Sequence, residues 1–152
     1  MTNGASLDAN KTLSVGNAIN VSGNLNILGS SDLTLSGDIA GTGGLSKSGG
    51  ATLVLSGNNS YKGNTNLNAG ILMLGSNSAL GDSTLNTAAG TTLDANTAIS
   101  LNNLINLAGN TAVGGSANLT LNNLLSGSGG LVKQGAATLT LCLLYTSPSP
   151  RD

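Results

Sequence analysis

A chain with no histidine must take any acid–base chemistry from carboxylates, lysines or tyrosine. Asp32 and Asp38 are the natural starting point, six residues apart and able to share one face. Two carboxylates flanking a bond are what glycoside hydrolysis requires. A polysaccharide-active β-helix enzyme would need such a pair, or an Asp cluster with basic partners, lining one groove. The chain shows no such convergence. The positions 86 residues further on hold Asn118 and Leu124, so the pair is not a repeating feature. Asp8 and Asp94, by contrast, both stand before Ala-Asn, which is turn chemistry. The expectation is a protein that is not an enzyme, with no catalytic residue and no residue holding a cofactor or metal.

The remaining motifs give similarly plain readings. Gly41-Thr42-Gly43-Gly44 resembles a phosphate-cradling loop only faintly, lacking both the third spaced glycine and the Gly-Lys-Ser of the nucleotide motifs. A tight turn between coils explains it better. The calcium-binding nonapeptide needs an Asp soon after Gly-Gly, but Gly43-Gly44 is followed by Leu45-Ser46-Lys47. Ligation by His or Cys is excluded before Cys142, because neither residue occurs there. Lys47 and Lys133 recur in step; a solvated lysine blunting a strand is expected rather than a stripe for an acidic partner. Tyr61 is placed either stacked on a turn or as one sugar-contacting platform. The sequons at Asn10, Asn20, Asn58 and Asn118 are what chance gives in so Asn-rich a chain.

Composition narrows the architecture. Charged residues are 7% of the chain and aromatics 1%, with no Phe or Trp. A core made almost entirely of Leu, Ile, Val and Ala suits a narrow, regular interior, since irregular cores normally draw volume from aromatics. The 23 glycines follow no three-residue period, which excludes collagen. A net charge of −1 with a mean hydropathy of +0.17 argues against disorder. No basic cluster exists for nucleic acid, and no apolar run is long enough for a membrane helix.

The elements that must carry these residues are short strands. Leu13-x-Val15, Ile19-x-Val21, Leu25-x-Ile27, Leu33-x-Leu35 and Leu53-x-Leu55 have the period of two that an extended strand gives. Gly and Asn clusters between them are turn formers. Leu101 to Leu107 would also allow a turn or two of helix, against which stand Asn102, Asn103 and Asn106. An ungapped self-match settles the choice: residues 4–55 meet 90–141 at an offset of 86. Leu7-Asp8-Ala9-Asn10 meets Leu93-Asp94-Ala95-Asn96, and Ala51-Thr52-Leu53 meets Ala137-Thr138-Leu139. The reading is an all-β, right-handed parallel β-helix over residues 1–141. Eighty-six residues divide into about four coils of roughly 21 residues, and the whole region, at about 4.8 Å per coil, would stack into a rod about 30 Å long.

One stretch has a more specific likeness. From Gly41 to Gly81 the chain presents Gly43-Gly44-Leu45, Lys47-Ser48-Gly49, Thr52-Leu53-Val54-Leu55-Ser56-Gly57-Asn58-Asn59, Tyr61-Lys62-Gly63-Asn64-Thr65 and Ala69-Gly70-Ile71-Leu72. These five sub-motifs, in this order, resemble the passenger-associated repeat of bacterial autotransporters. Gly129 to Leu141 matches its first part through the offset. The resemblance implies a stalk or adhesin-type segment of a type V secreted protein, at the surface of a Gram-negative bacterium. It implies as partner the protein's own C-terminal outer-membrane barrel, with host or bacterial surface ligands as further partners. It implies no cofactor, no nucleic acid and no membrane insertion of this segment. The apparent lack of a signal sequence, a barrel and polar end caps suggests a slice of a longer chain. An ice-binding role would need a regular Thr-x-Thr row, which Thr65 and Thr91-Thr92 do not form.

Residues 142–152 stand apart. The 86-residue register would place an echo of Ser56-Gly57-Asn58 after Leu141, but Cys142-Leu143-Leu144 follows. The chain's one Cys, its one Arg and both Pro fall in this tail, and the prolines would interrupt a strand ladder. CLLYTSPSPRD resembles a translated sequencing-library adapter, so the tail is expected to be non-native.

Overall fold

The computed structural model describes residues 4–142. Every regular element among them is a short strand, and every pairing between strands is parallel. Leu-x-Leu units separated by Gly- and Asn-rich turns do not pair with their sequence neighbours. Each instead pairs with the unit about twenty residues away. A β-solenoid of seven coils results, with three faces.

The first face stacks Ala5–Leu7, Leu25–Ile27, Leu45–Lys47, Thr65–Leu67, Leu85–Thr87, Ile105–Leu107 and Leu125–Ser126 in that order. The second stacks Leu13–Val15, Leu33–Leu35, Thr52–Leu55, Ile71–Leu74, Thr92–Ala95, Thr111–Val113 and Leu131–Lys133. The third is split into Ile19–Asn20 with Ile39–Ala40, and Ile99–Leu101 with Leu119–Leu121 and Leu139–Leu141. Alternation puts one row of side chains inside. In the strand Leu25–Ile27 both end residues are buried and Asn26 faces out, and Leu33–Leu35 repeats the pattern. The core is a set of aliphatic ladders, each leucine contributing about 2 kcal/mol by burial. The alternative helix at Leu101–Leu107 does not form; Ile99–Leu101 and Ile105–Leu107 are strands on different faces.

Register corrects the expected coil length. Leu25 pairs with Leu45, Leu45 with Thr65, and Leu85 with Ile105, a coil of 20 residues rather than 21. On the second face Leu53 pairs with Leu72 and Leu72 with Leu93, so a short coil is followed by a compensating long one. An offset of 86 therefore spans four coils and about a third of another. The two sequence copies are consequently not stacked in phase. Leu7 lies on the first face and its copy Leu93 on the second; Leu33 lies on the second and its copy Leu119 on the third. The second copy is turned by one face relative to the first.

The split in the third face has an identifiable cause. Where the ladder would run through residues 59 and 79, Asn59 and Ala79 make no strand. Buried Asn59 bridges the gap with its side chain, accepting from the Ile39 N–H at 2.8 Å and donating to the Ala79 carbonyl at 2.7 Å. Residues 76–82 form tight turns, with the Ala79 N–H on the Ser76 carbonyl and the Gly81 N–H on that of Ser78. An amide side chain thus replaces two ladder bonds, satisfying groups that would otherwise be buried unpaired. The reading of residues 142–152 as non-native falls, apart from exposed Cys142, outside the described residues.

Candidate functional site

The carboxylates singled out in the sequence each tie one coil to the next. Asp32 accepts the Thr52 N–H at 2.9 Å, and Asp38 accepts the Asn58 N–H at 2.9 Å. Both partners lie twenty residues on, one coil further along the stack. Asn118, the copy of Asp32, makes the same bond to the Thr138 N–H. The bond survives the change from Asp to Asn because an acceptor oxygen, not a charge, is what the turn needs. Asp32 precedes a second-face strand and Asp38 a third-face strand, so each serves a different turn.

Asp8 and Asp94 form a second matched pair. The Asp8 carboxylate accepts from the Ser30 hydroxyl, the Ser30 N–H and the Ala9 N–H. Asp94 does the same with Ser116 and Ala95. The Ser30 hydroxyl, then the backbone N–H groups, hold Asp8 below the usual carboxylate range. The same bonds recur in both copies, but the expected turn holds only for exposed Asp8; Asp94 lies buried inside the strand Thr92–Ala95.

Lys47 departs from expectation. It is buried in the first face between Ile27 and Leu67, and its ammonium donates to the carbonyls of Ser48 at 2.6 Å, Gly49 at 2.9 Å and Ala69 at 3.4 Å. Burial lowers its pKa from the ordinary lysine value, and the charge of Asp32 opposes that shift. A Cβ on Gly70, whose φ is +76°, would stand 2.7 Å from the ammonium and 2.5 Å from the Gly49 carbonyl, so Gly70 makes room for the cation. Lys133 repeats the first two bonds, to the carbonyls of Gln134 and Gly135, while remaining exposed on the last described second-face strand. The solvated-lysine reading fails for Lys47 because its local bonds turn the ammonium back onto the turn, and the next coil then covers it.

Tyr61 is fully buried, which removes the sugar-platform reading. Its hydroxyl pairs with that of Thr65 at 2.6 Å; Thr65 pairs with Ser83 at 2.7 Å, and Ser83 donates to the Leu80 carbonyl at 2.6 Å. Burial pushes the phenol up to about 12, against the opposing hydrogen bonds to Thr65 and Ser83. A folded pKa above the unfolded value of 10.0 means that Tyr61's contribution is complete below pH 10. It is lost as pH rises through 12, by about 3 kcal/mol. The expected result is a fall in stability over that window that the Tyr61→Phe chain lacks. Urea melts from pH 9 to 12, read alongside the difference in phenolate absorbance between the two chains, measure it.

The Gly41-Thr42-Gly43-Gly44 loop is a turn. A Cβ on Gly43 would meet the Gly23 carbonyl and one on Gly44 the Asn64 carbonyl, so these glycines permit coil-to-coil backbone approach. The outward row of the first face carries Asn26, Ser46, Asn66, Asn86 and Asn106. Asn86 donates to Asn66 at 2.9 Å and Asn106 to Asn86 at 3.3 Å. A shallow groove lies at one corner, lined by Asp82, Ser83, Thr84, Asn102, Asn103 and Leu104 among others. Its Asn103 amide donates to the Gly81 and Ser83 carbonyls, and Asp82 pairs with Lys62 at 2.9 Å on the exposed surface. Among the described residues no three His, Cys, Asp or Glu side chains group as metal ligands, and no helix is long and apolar enough to cross a membrane.

The family model described as the passenger-associated-transport-repeat matches residues 45–74. No curated protein and no solved structure matches the chain. The matched stretch contains Lys47, Asn59, Tyr61, Thr65 and Gly70, the positions at which polar groups or a missing side chain fit one coil to its neighbours. Residues 45–74 thus match a passenger-associated-transport-repeat and are set in a parallel β-solenoid, which together support an autotransporter passenger domain.

Proposed function

We propose that this segment is a stalk or adhesin-type part of a type V secreted passenger, which aids folding and secretion and displays other regions of its protein. The passenger repeat implies linkage to a C-terminal translocator and secretion to the surface of a Gram-negative bacterium; attachment to the outer membrane, and host or bacterial surface ligands, belong to the same proposal. The observation that carries it is the use made of the polar side chains. Asp8, Asp32, Asp38, Asp94 and Asn118 each hold the next coil. Groups so engaged build a rod, and in this reading the chain is not an enzyme.

The test places the segment between an epitope tag and a translocator barrel in a Gram-negative host. Tag at the cell surface, with a protease-resistant segment beneath it, is expected. The displayed segment is expected to turn over neither pectin, glucans nor peptides. A tag retained inside the cell, or turnover that vanishes in Asp32→Asn or Asp38→Asn, overturns the reading.

A further inference from the structure

The structure poses a question of its own: what decides which face a strand unit occupies? The molecule itself shows that the Leu-x-Leu units do not. Leu7-Asp8-Ala9 lies at the first face with Asp8 on Ser30, while its copy Leu93-Asp94-Ala95 lies on the second with Asp94 on Ser116. The same residues make the same bonds at two different corners. Aliphatic burial and these carboxylate bonds are therefore satisfied on either face, with Asp8 after a strand and Asp94 inside one. A chain built of such units can close over the same core one unit, about six residues, out of step.

Buried polar groups are distributed differently. Among the described residues they are Lys47, Asn59, Thr65, Ser83, Thr87, Thr91, Asp94 and Thr111. They concentrate at and around the stretch joining the two copies, where the coil lengths deviate from 20 and the third face is split. Several need a partner from another coil. Asn59 reaches Ile39 on one side and Ala79 on the other. Thr111 donates to the Thr87 hydroxyl at 2.7 Å and lies 3.5 Å from that of Thr91, which donates to the Ala88 carbonyl at 2.7 Å. Shifted by one strand unit either way, Ile105 or Leu119 would take the place of Thr111, and neither has a hydroxyl.

We propose that Asn59, the Tyr61–Thr65–Ser83 chain and the Thr87–Thr91–Thr111 cluster act as a register key, fixing the second copy one face round from the first and excluding the slipped stack. Buried polar groups add little net stability, but a wrong partner leaves them unsatisfied, and that difference selects one register. The inference concerns how this chain folds and does not depend on the export reading.

Disulfide reporters on the full chain, in a Cys142→Ser background, provide the test. Asn86 and Asn106 are outward neighbours on adjacent strands, close enough for a disulfide. In the native register Asn86→Cys crosslinks with Asn106→Cys. A slipped stack would instead bring Asn86→Cys beside Ala112→Cys or Ser100→Cys. With the key intact, only the 86–106 pair is expected to form. In Thr87→Val/Thr91→Val/Thr111→Val the slipped pairs are expected to rise about tenfold or more, in a chain that keeps its β spectrum. The matching triple Ser variant keeps the hydroxyls while losing methyl groups; it is expected to crosslink like the parent even though less stable. Should the triple Val chain lose its β spectrum, Thr87→Val alone is compared in the same way. Crosslinking by the folded Val variants that is indistinguishable from the parent, or slippage in the Ser variant, overturns the proposal.

Discussion

Leu55→Asp is expected to unfold the chain at room temperature, whereas Leu28→Asp is expected to leave it nearly unchanged. Leu55 is 0% exposed and lies in register between Leu35 and Leu74, inside an aliphatic ladder. A carboxylate there has no donor, and the cost of burying it, added to the lost leucine packing, is about 5 kcal/mol. That approaches the whole stability of an ordinary domain. Leu28 is 45% exposed, and a charge there faces water, for an effect within about 0.5 kcal/mol. Far-ultraviolet circular dichroism through a urea series reads both. Equal losses at the two leucines would mean that the inward and outward rows are wrongly assigned.

Lys47→Ala is expected to cost about 3 kcal/mol, and Lys133→Ala less than about 0.5 kcal/mol. The first removes donors from the Ser48, Gly49 and Ala69 carbonyls and empties the stem's place between Ile27 and Leu67. The second removes the same two local bonds from an exposed side chain. Lys47→Met, which keeps most of the stem and loses the donors, should fall between them. The pair is informative because the sequence treats the two lysines alike. Equal midpoints for the two alanine variants in urea would show that the Lys47 ammonium is not held by the coil above it.

Much of the fold was legible in the residues. Leu25-x-Ile27 and Leu33-x-Leu35 declare strands by their period, and the 86-residue self-match declares a stack. The coil length was less accessible, because 86 is a whole number of strand units without being a whole number of coils; only pairing, Leu25 with Leu45 for example, separates the two. The Asp8 and Asp94 bonds were partly local, since they include the adjacent Ala N–H in each case, but that Asp94 sits inside a strand and not a turn depends on pairing with the coils on either side. Lys47, Tyr61 and Asn59 were not readable, since burial of each depends on a coil some twenty residues away. The available signal was their company: Lys47, Asn59 and Tyr61 all fall within the stretch that matches the passenger-associated repeat.

The one-face turn between the copies also determines how the rod looks from outside. At about 4.8 Å per coil, an offset of four and a third coils advances roughly 21 Å along the axis while rotating about 120°. Equivalent surface patches therefore lie on a gentle spiral instead of in a column. A flat partner lying against one side meets each kind of patch once, and would meet it again only after about 60 Å if the 86-residue period continued. A flexible polymer able to wrap the rod could follow the spiral from one equivalent patch to the next. The same stagger keeps identical strands of the two copies off a common face, where their equal sequences would invite mispairing.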